Sequence, residues 1–337
     1  MIREAIAKLA EGKDLSEEES SGAIKEILEG KGTSAQIAAF IMGLRVKGEK
    51  IPEILGGAKA IRKMALTLKI KAETAVDTCG TGGDGANTFN ISTAAAFVVA
   101  GAGVTVAKHG NRAVSSHCGS ADILRELGVN IDLSPDKVAR CIDEIGIGFL
   151  FAPLFHSAMQ YAAGPRREIG IRSIFNILGP LTNPAEVKSQ VLGVYDKKLT
   201  APLAHVLGQL GARRSFVVCG LDGLDEITIT DATQISEFYN GEVKTYQITP
   251  EEFGLKRSSL DELAGGDAFY NKEILIRILK GAKNAKRDIV LINASAALVA
   301  SEKAKNFKDG ILLAEESIDS GKAYKKLESL IEFSNRK

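Results

Sequence analysis

The chain has 337 residues, 45% of them hydrophobic, and 43 Lys and Arg against 42 Asp and Glu leave a net charge of +1. That length suits two domains or one large core with an appendage, and the apolar fraction excludes wholesale disorder. So even a charge balance gives no footprint for nucleic acid or an anionic membrane surface, and any anion site must be local.

In chain order, Met1-Ile-Arg-Glu4 begins an amphipathic helix and not a signal sequence. Ile2, Ile6 and Leu9 fall at helical spacing, as do Ile24, Ile27 and Leu28. Ser16 to Glu19 reads as a capping box. Thr33 opens a small-residue helix, and Ile51-Pro52-Glu53 opens another. Residues 1 to about 70 are thus expected to be short helices, whose apolar faces suit either an intramolecular bundle or a second subunit. Beyond residue 70 the texture becomes β-α alternation. Strands are expected at Ala75–Asp77, Val104–Ala107, Ile147–Phe151, Gln190–Tyr195 and Ser215–Cys219. Helices are expected at Ala121–Leu127, Pro135–Ile145, with Ser134 as cap and proline at N1, and Leu199–Leu210. Asn240-Gly241, between Gln234–Tyr239 and Glu242–Ile248, is a hairpin signal. From about residue 271 the chain reads helical. No internal repeat, low-complexity segment or long linker occurs, and the longest apolar runs are broken by glycine or charge, so no membrane span is expected. Cys79, Cys118, Cys141 and Cys219 lack Cys-x-x-Cys spacing, which points to reduced thiols in the cytoplasm and no zinc site.

The most informative stretch is Val76 to Ser120. Gly80-Thr-Gly-Gly-Asp-Gly85 puts four glycines in six residues, a density that suits a backbone lying against a ligand with its N–H groups outward. Asn90 and Ser92 are good cap residues for a buried helix over Thr93–Ala100, and a helix N-terminus beside such a loop makes an anion site. A second polar loop, Lys108 to Ser116, adds two cations, an amide and hydroxyls, and another helix starts near Ser120. The dinucleotide fingerprint fails, because no carboxylate stands between Asp84 and Asp122. The P-loop pattern fails too, since no Gly-Lys-Ser/Thr follows. Phosphate binding is the reading the second basic loop favours over a merely tight turn. Phe155 to Pro184 holds Gly164-Pro165-Arg166-Arg167 and Gly179-Pro180, Gly-Pro pairs that signal chain reversals around a helix over Ile169–Leu178. This segment is expected to cross to the helical part and return. Asp225-Glu226, in a loop after a strand, has the hard oxygens that suit Mg²⁺ bridged to phosphates, although on its own such a pair reads as solvated surface acids.

Asp77 to Asp84, Asn90-Ile-Ser-Thr93, Lys108 to Ser116 and Gly119-Ser-Ala-Asp122 together resemble the anthranilate phosphoribosyltransferase family, and the resemblance extends over nearly the whole chain. It implies an α/β fold: a small all-helical N-terminal domain over 1–70 with a helical insertion at about 165–185, and a larger α/β domain over 71–164 and 186–337 with a central, mostly parallel sheet flanked by helices. It implies transfer of the phosphoribosyl group of 5-phosphoribosyl 1-pyrophosphate (PRPP) to the amine of anthranilate, the second step from chorismate to tryptophan. By the same resemblance PRPP is lined by Gly80, Gly83, Asp84, Thr88, Asn90, Ile91, Ser92, Thr93, Lys108, His109, Gly110, Asn111, Arg112, Ala113, Val114, Ser115, Ser116 and Ser120. Anthranilate is met by Gly80, Asn111 and Arg166, and Mg²⁺, two ions per site, by Ser92, Asp225 and Glu226. Arg166 is preferred to Arg167 by alignment alone.

Catalysis in such a site is electrostatic, through Lys108 and metal, since the amine of anthranilate is already neutral at pH 7. His109 is expected to shape the loop or hydrogen-bond, and Asp84 to hold a ribose hydroxyl or reach metal through water. A homodimer through the helical domain, with no nucleic acid and no membrane, completes the expectation. A nucleoside phosphorylase and a non-catalytic nucleic-acid-binding relative are the alternatives; the set of Asn111, Arg166, Asp225 and Glu226 argues against the first, and the net charge of +1 with an intact Asp225-Glu226 against the second.

Overall fold

Residues 1–113 and 118–336 are described by the computed structural model. Local caps set the first helices. Helix α1 (Ile2–Ala10) buries Ile2, Ala5 and Leu9. Helix α2 (Glu17–Leu28) starts at Ser16, whose hydroxyl accepts the Glu19 N–H while the Glu19 carboxylate accepts the Ser16 N–H. Thr33 and Gln36 repeat that reciprocal pair before α3 (Ser34–Lys47), and α4 (Ile51–Met64) carries Pro52 in its first turn.

The alternating part follows as β1 (Ala75–Gly80), α5 (Ile91–Gly101), β2 (Thr105–Gly110), α6 (Ser120–Glu126), α7 (Pro135–Ile145) and β3 (Ile147–Phe151). Next come α8 (Ala152–Phe155), α9 (Gln160–Ile169), α10 (Ile174–Leu178), β4 (Ser189–Gly193), α11 (Thr200–Gln209) and β5 (Arg214–Gly220). The hairpin β6 (Thr233–Tyr239) and β7 (Glu242–Ile248) precedes four helices, α12 (Ala268–Leu279), α13 (Ala285–Ala300), α14 (Phe307–Asp319) and α15 (Lys322–Ser334). Asn240 and Gly241 both have positive φ, 51° and 83°, the backbone a two-residue hairpin turn demands.

The seven strands form one sheet in the order β3-β2-β1-β4-β5-β6-β7. The first five are parallel, and β6 and β7 are added antiparallel at one edge. Side chains alternate between the faces as strand geometry requires. Val191 and Phe216 join the core under α5 and the C-terminal helices, while Leu192 and Val217 join the core shared with α11 and the N-terminal helices. That second core also takes in Ile174, Phe175 and Leu178, so α10 packs among residues of α2, α3 and α4 from far earlier in the chain. Helix α5 is buried nearly all round, and its small residues let α14 approach until the Ser317 hydroxyl donates to the Val98 carbonyl at 2.7 Å.

The chain leaves β1 for β2 and β3 on one side, then returns for β4 and β5 on the other. The carboxyl ends of β1 and β4 therefore flank the point where strand order reverses, the ligand crevice of an open α/β sheet.

Three expectations are corrected. Strand β1 runs on to Gly80, because its pairing with β4 continues to Gly80 opposite Gly193. Strand β2 runs to Gly110, so Lys108 and His109 are strand residues paired with Phe149 and Leu150 of β3, not loop residues. Gly164-Pro165 makes no reversal, since Pro165 lies inside α9. Gly164 has no Cβ to meet the proline ring, which removes part of the clash that keeps the residue before proline out of a helix. The break comes later, at Gly170 with φ 67°, and separates α9 from α10, so Ile169–Leu178 is not one helix.

Candidate active site

The carboxyl ends of β1, β2 and β5 bring three loops together. Lys108, at the end of β2, is 4% exposed, and its ammonium donates to the Thr78 carbonyl of β1 and to the Ser92 hydroxyl at 3.3 Å. Thr78 in turn donates its hydroxyl to the Ser92 carbonyl at 3.0 Å. Burial pulls the Lys108 ammonium below its ordinary range, and Asp77, Cys79 and Glu226 act to restore it. Lys108 thus ties the end of β1 to the first turn of α5.

The loop after β5 closes the third side. Asp225 accepts the Gly82 N–H at 2.7 Å, and Glu226 accepts the Ser92 N–H at 3.1 Å. Asn90 stands at the helix cap but does not cap it with its side chain. Its amide donates to the Cys118 carbonyl at 3.0 Å and accepts from Asn271 at 3.1 Å, while Glu226 takes the N–H that a cap would have held. The fit is tight where the strands end. A side chain on Gly80 would meet the Asp225 carboxylate, and one on Gly193 would strike the Asp225 main-chain carbonyl.

These carboxylates sit under mutual strain. Burial first, then the charges of Asp84 and Glu226, push the Asp225 carboxyl well above its usual range. Glu226 is pushed to about 8, chiefly by burial, with Lys108 pulling it down and Asp84 raising it. Among the described residues no group of three or more His, Cys, Asp or Glu is arranged to hold a metal unaided. A half-buried carboxylate dyad whose shell must be completed by other oxygens fits Mg²⁺, which keeps few protein ligands and shares phosphates and water. Ser92, expected among the metal ligands, stands beside Glu226 through its own N–H.

The basic turn is held from α6. Asp122 accepts the N–H groups of Ala113 at 3.0 Å and Gly119 at 2.9 Å, and the Asn111 carbonyl accepts from the Ser120 hydroxyl at 3.3 Å and the Ala121 N–H at 3.1 Å. Arg112 lies over the Phe151 ring at 5.6 Å. Gly110 and Ser120 are in contact, and Gly83 takes a φ of 75°. Thr88 forms a short bridge with Ala264. Ile91 has its side chain in the core, so only its main chain can face a ligand, and Thr93 Oγ1 is buried without a partner among the described residues. Val114, Ser115 and Ser116, expected at the phosphate site, lie outside the described residues. Arg166 is half-buried over the Phe175 ring at 5.4 Å, whereas Arg167 is exposed. Burial lowers the Arg166 pKa.

Sequence reading gave no role to Asp77, Asn183 or Asn271. Asp77 is fully buried in β1, accepting the His109 N–H at 3.1 Å and the Asn183 amide at 2.8 Å. Asn183 also donates to the Ala107 carbonyl at 2.8 Å, tying the crossing segment to β2. A charge inside an apolar strand must find such partners, and that rule was the available signal for Asp77. Burial holds its carboxyl up at about 6.

His109 and His156 meet edge to face, ring centroids 5.1 Å apart, both buried. Burial lowers His156 from its usual 6.5 to about 4, against the opposing pull of the Thr182 carbonyl. Below pH 6.5 the unfolded chain binds a proton that the folded protein refuses until about pH 4, so stability is lost as pH falls through that window. His156→Phe, which keeps the ring, is expected to remove up to about 3 kcal/mol of this acid sensitivity. Urea unfolding at pH 7 and pH 4.5 checks it, and an equal loss in wild type and variant would exclude His156 as the source.

The crevice, the glycine loop and the carboxylate dyad are those of a glycosyl transferase. Residues 3–65 match the family model "Glycosyl transferase family, helical bundle domain", and residues 72–324 match "Glycosyl transferase family, a/b domain". The anthranilate phosphoribosyltransferase of Clostridium kluyveri is 55% identical over 335 residues, covering 99% of this chain and 100% of that one. That of Moorella thermoacetica is 56% identical over 331 residues, 98% of each chain. Among solved structures, the anthranilate phosphoribosyltransferase of Thermus thermophilus superposes with a TM-score of 0.94 at 42% identity, over 98% of this chain and 99% of that one. The Saccharomyces cerevisiae enzyme in complex with PRPP and Mg gives 0.89 at 31% identity, over 99% and 97%. The chain belongs to the anthranilate phosphoribosyltransferase family.

Proposed function

We propose that this enzyme transfers the phosphoribosyl group of PRPP to the amine of anthranilate, giving N-(5-phosphoribosyl)anthranilate and pyrophosphate. The observation that carries it is the convergence of the glycine loop, Lys108 and the Asp225–Glu226 dyad at one strand edge, in a chain 55% identical to anthranilate phosphoribosyltransferases along its length.

In the reaction the bond from the anomeric carbon to the pyrophosphate oxygen breaks, a bond to the amine nitrogen forms, and the amine gives up a proton. Positive charge grows on the sugar and negative charge on the leaving group, so positioning and electrostatics carry the rate. The glycine loop takes the phosphates, Lys108 supplies a fixed buried charge, and Ser and Thr hydroxyls donate to phosphate oxygens. Asp225 and Glu226, with Ser92, would hold Mg²⁺, which would neutralise charge on the leaving group. Two such ions per site are part of the proposal. His109 and His156, held neutral by burial, suit an uncharged polar contact and not proton transfer.

Residues 1–70 with the 165–185 insertion form the helical domain, and 71–164 with 186–337 the α/β domain. The apolar side chains Met42 and Val46, 37% and 79% exposed one turn apart on α3, support a homodimer through the helical domain. Among the described residues no helix is long and apolar enough to cross a membrane, and a cytoplasmic location agrees with that.

Loss of anthranilate fluorescence on mixing protein, PRPP, Mg²⁺ and anthranilate tests the activity, and no loss at high protein concentration would remove it. Arg166→Ala is expected to raise KM for anthranilate about tenfold or more, the worth of a charge-assisted pair, while sparing KM for PRPP. Equal loss with Arg167→Ala, and none with Arg166→Ala, would reassign the contact.

A further inference from the structure

Arg172 lies in the short segment between α9 and α10. Gly170 ends α9 in a left-handed conformation, and the Ser173 N–H donates to Asn176 at 3.0 Å to open α10, so the segment is fixed at both ends. Its guanidinium stacks on the Tyr195 ring, 4.2 Å from the centroid, just beyond β4. The same guanidinium rests against the glycine loop. A Cβ on Gly83 would stand 2.9 Å from its Nε and 3.1 Å from Nη2. Helix α10 packs among the N-terminal helices, whereas Gly83 follows β1 of the sheet, so Arg172 reaches from one core to a loop of the other.

The remaining charges near it leave its donors in place. Arg45, Glu49 and Asp196 act on the Tyr195 phenol along with Arg172. Among the described residues, none of these carboxylates forms an ion pair with the Arg172 guanidinium and no carbonyl takes a hydrogen bond from it. A stacked guanidinium is pre-organised, and its planar fork of N–H groups matches two phosphate oxygens at once. Arg166 lies over the Phe175 ring. The loop under Arg172 is the one whose amides face the diphosphate in the reading above.

We infer that Arg172 is a further substrate-binding residue, which grips the pyrophosphate group of the sugar donor from across the glycine loop and links the helical core to it. The inference rests on the proposed activity for its substrate and adds a contact that the sequence motifs did not single out. Because the leaving group keeps this contact after bond cleavage, the arginine acts on the bound donor and on free pyrophosphate alike.

Arg172→Ala and Arg172→Lys test it in the full-length protein, with KM for PRPP, KM for anthranilate and the inhibition constant of pyrophosphate measured together. For Arg172→Ala, KM for PRPP and the pyrophosphate constant are each expected to rise about tenfold or more, the loss of one charge-assisted pair, with KM for anthranilate within about twofold. Arg172→Lys, which keeps the charge and loses the fork, is expected to fall between. An unchanged pyrophosphate constant overturns the inference, as does an equal rise in both KM values, the mark of a loosened fold. Calorimetric titration with magnesium pyrophosphate separates the two readings. If the wild type binds it, Arg172→Ala weakens it and no turnover is seen with anthranilate, the arginine's role stands and the proposed activity falls. If turnover is normal and Arg172→Ala binds pyrophosphate like wild type, only the arginine's role falls.

Discussion

Lys108→Met is expected to lower kcat by about 10²-fold or more, the usual worth of one pre-placed electrostatic group, in a protein that still folds. Lys108 is 4% exposed at the end of β2, and its ammonium bridges the Thr78 carbonyl and the Ser92 hydroxyl. Methionine fills a similar unbranched volume without the charge. The substitution therefore removes the cation at the meeting point of the three loops and changes the packing little. The Thr78 carbonyl loses its donor, a cost of roughly 1–3 kcal/mol, so the melting temperature should fall by several degrees. Steady-state rates with saturating substrates and a thermal melt decide the matter. A kcat within about threefold of wild type would mean that the ammonium only ties β1 to α5.

Gly193→Ala is expected to cost at least about 10²-fold in kcat/KM for PRPP, the scale of a displacement of order 1 Å in a positioned group. The added methyl would strike the main-chain carbonyl of Asp225, and no rotamer change moves a carbonyl out of the way. Either β4 or the loop carrying Asp225 and Glu226 must shift. Gly193 also accepts the Thr81 N–H at 2.9 Å, so a shift of β4 drags the glycine loop with it. A rise in the Mg²⁺ concentration needed for half-maximal activity should accompany the loss. Wild-type kinetics in the variant would show that the loop can retreat without disturbing the dyad.

Much of this architecture was legible in the chain. The capping box at Ser16, the helix start at Thr33, the proline at the start of α7 and the Asn240-Gly241 turn each act through near neighbours in the chain, and each forms as read. The strand ends did not, because nothing local in Lys108-His109-Gly110 favours a strand. Pairing with Phe149, Leu150 and Phe151 extends β2 through them, and tertiary pairing outweighs weak propensity. The glycine loop announced a close approach by its composition alone. What it approaches, an aspartate 143 residues away, left no local trace. Asp77 with Asn183, separated by 106 residues, and Arg172 against Gly83 belong to the same class, since burial and contact across the fold leave no periodicity to find.

The amides of Gly82 and Ser92 each hold a carboxylate of the protein itself. A bare sulfate or orthophosphate drifting into the crevice would meet two carboxyl groups already seated on those amides, and displacing them without compensation is uphill. A polyanion escorted by a divalent cation offers those neighbours something to turn towards as it takes their places. Seating two carboxyl groups on those amides therefore favours an anion that arrives with a counter-charge for them over a simple anion that brings none.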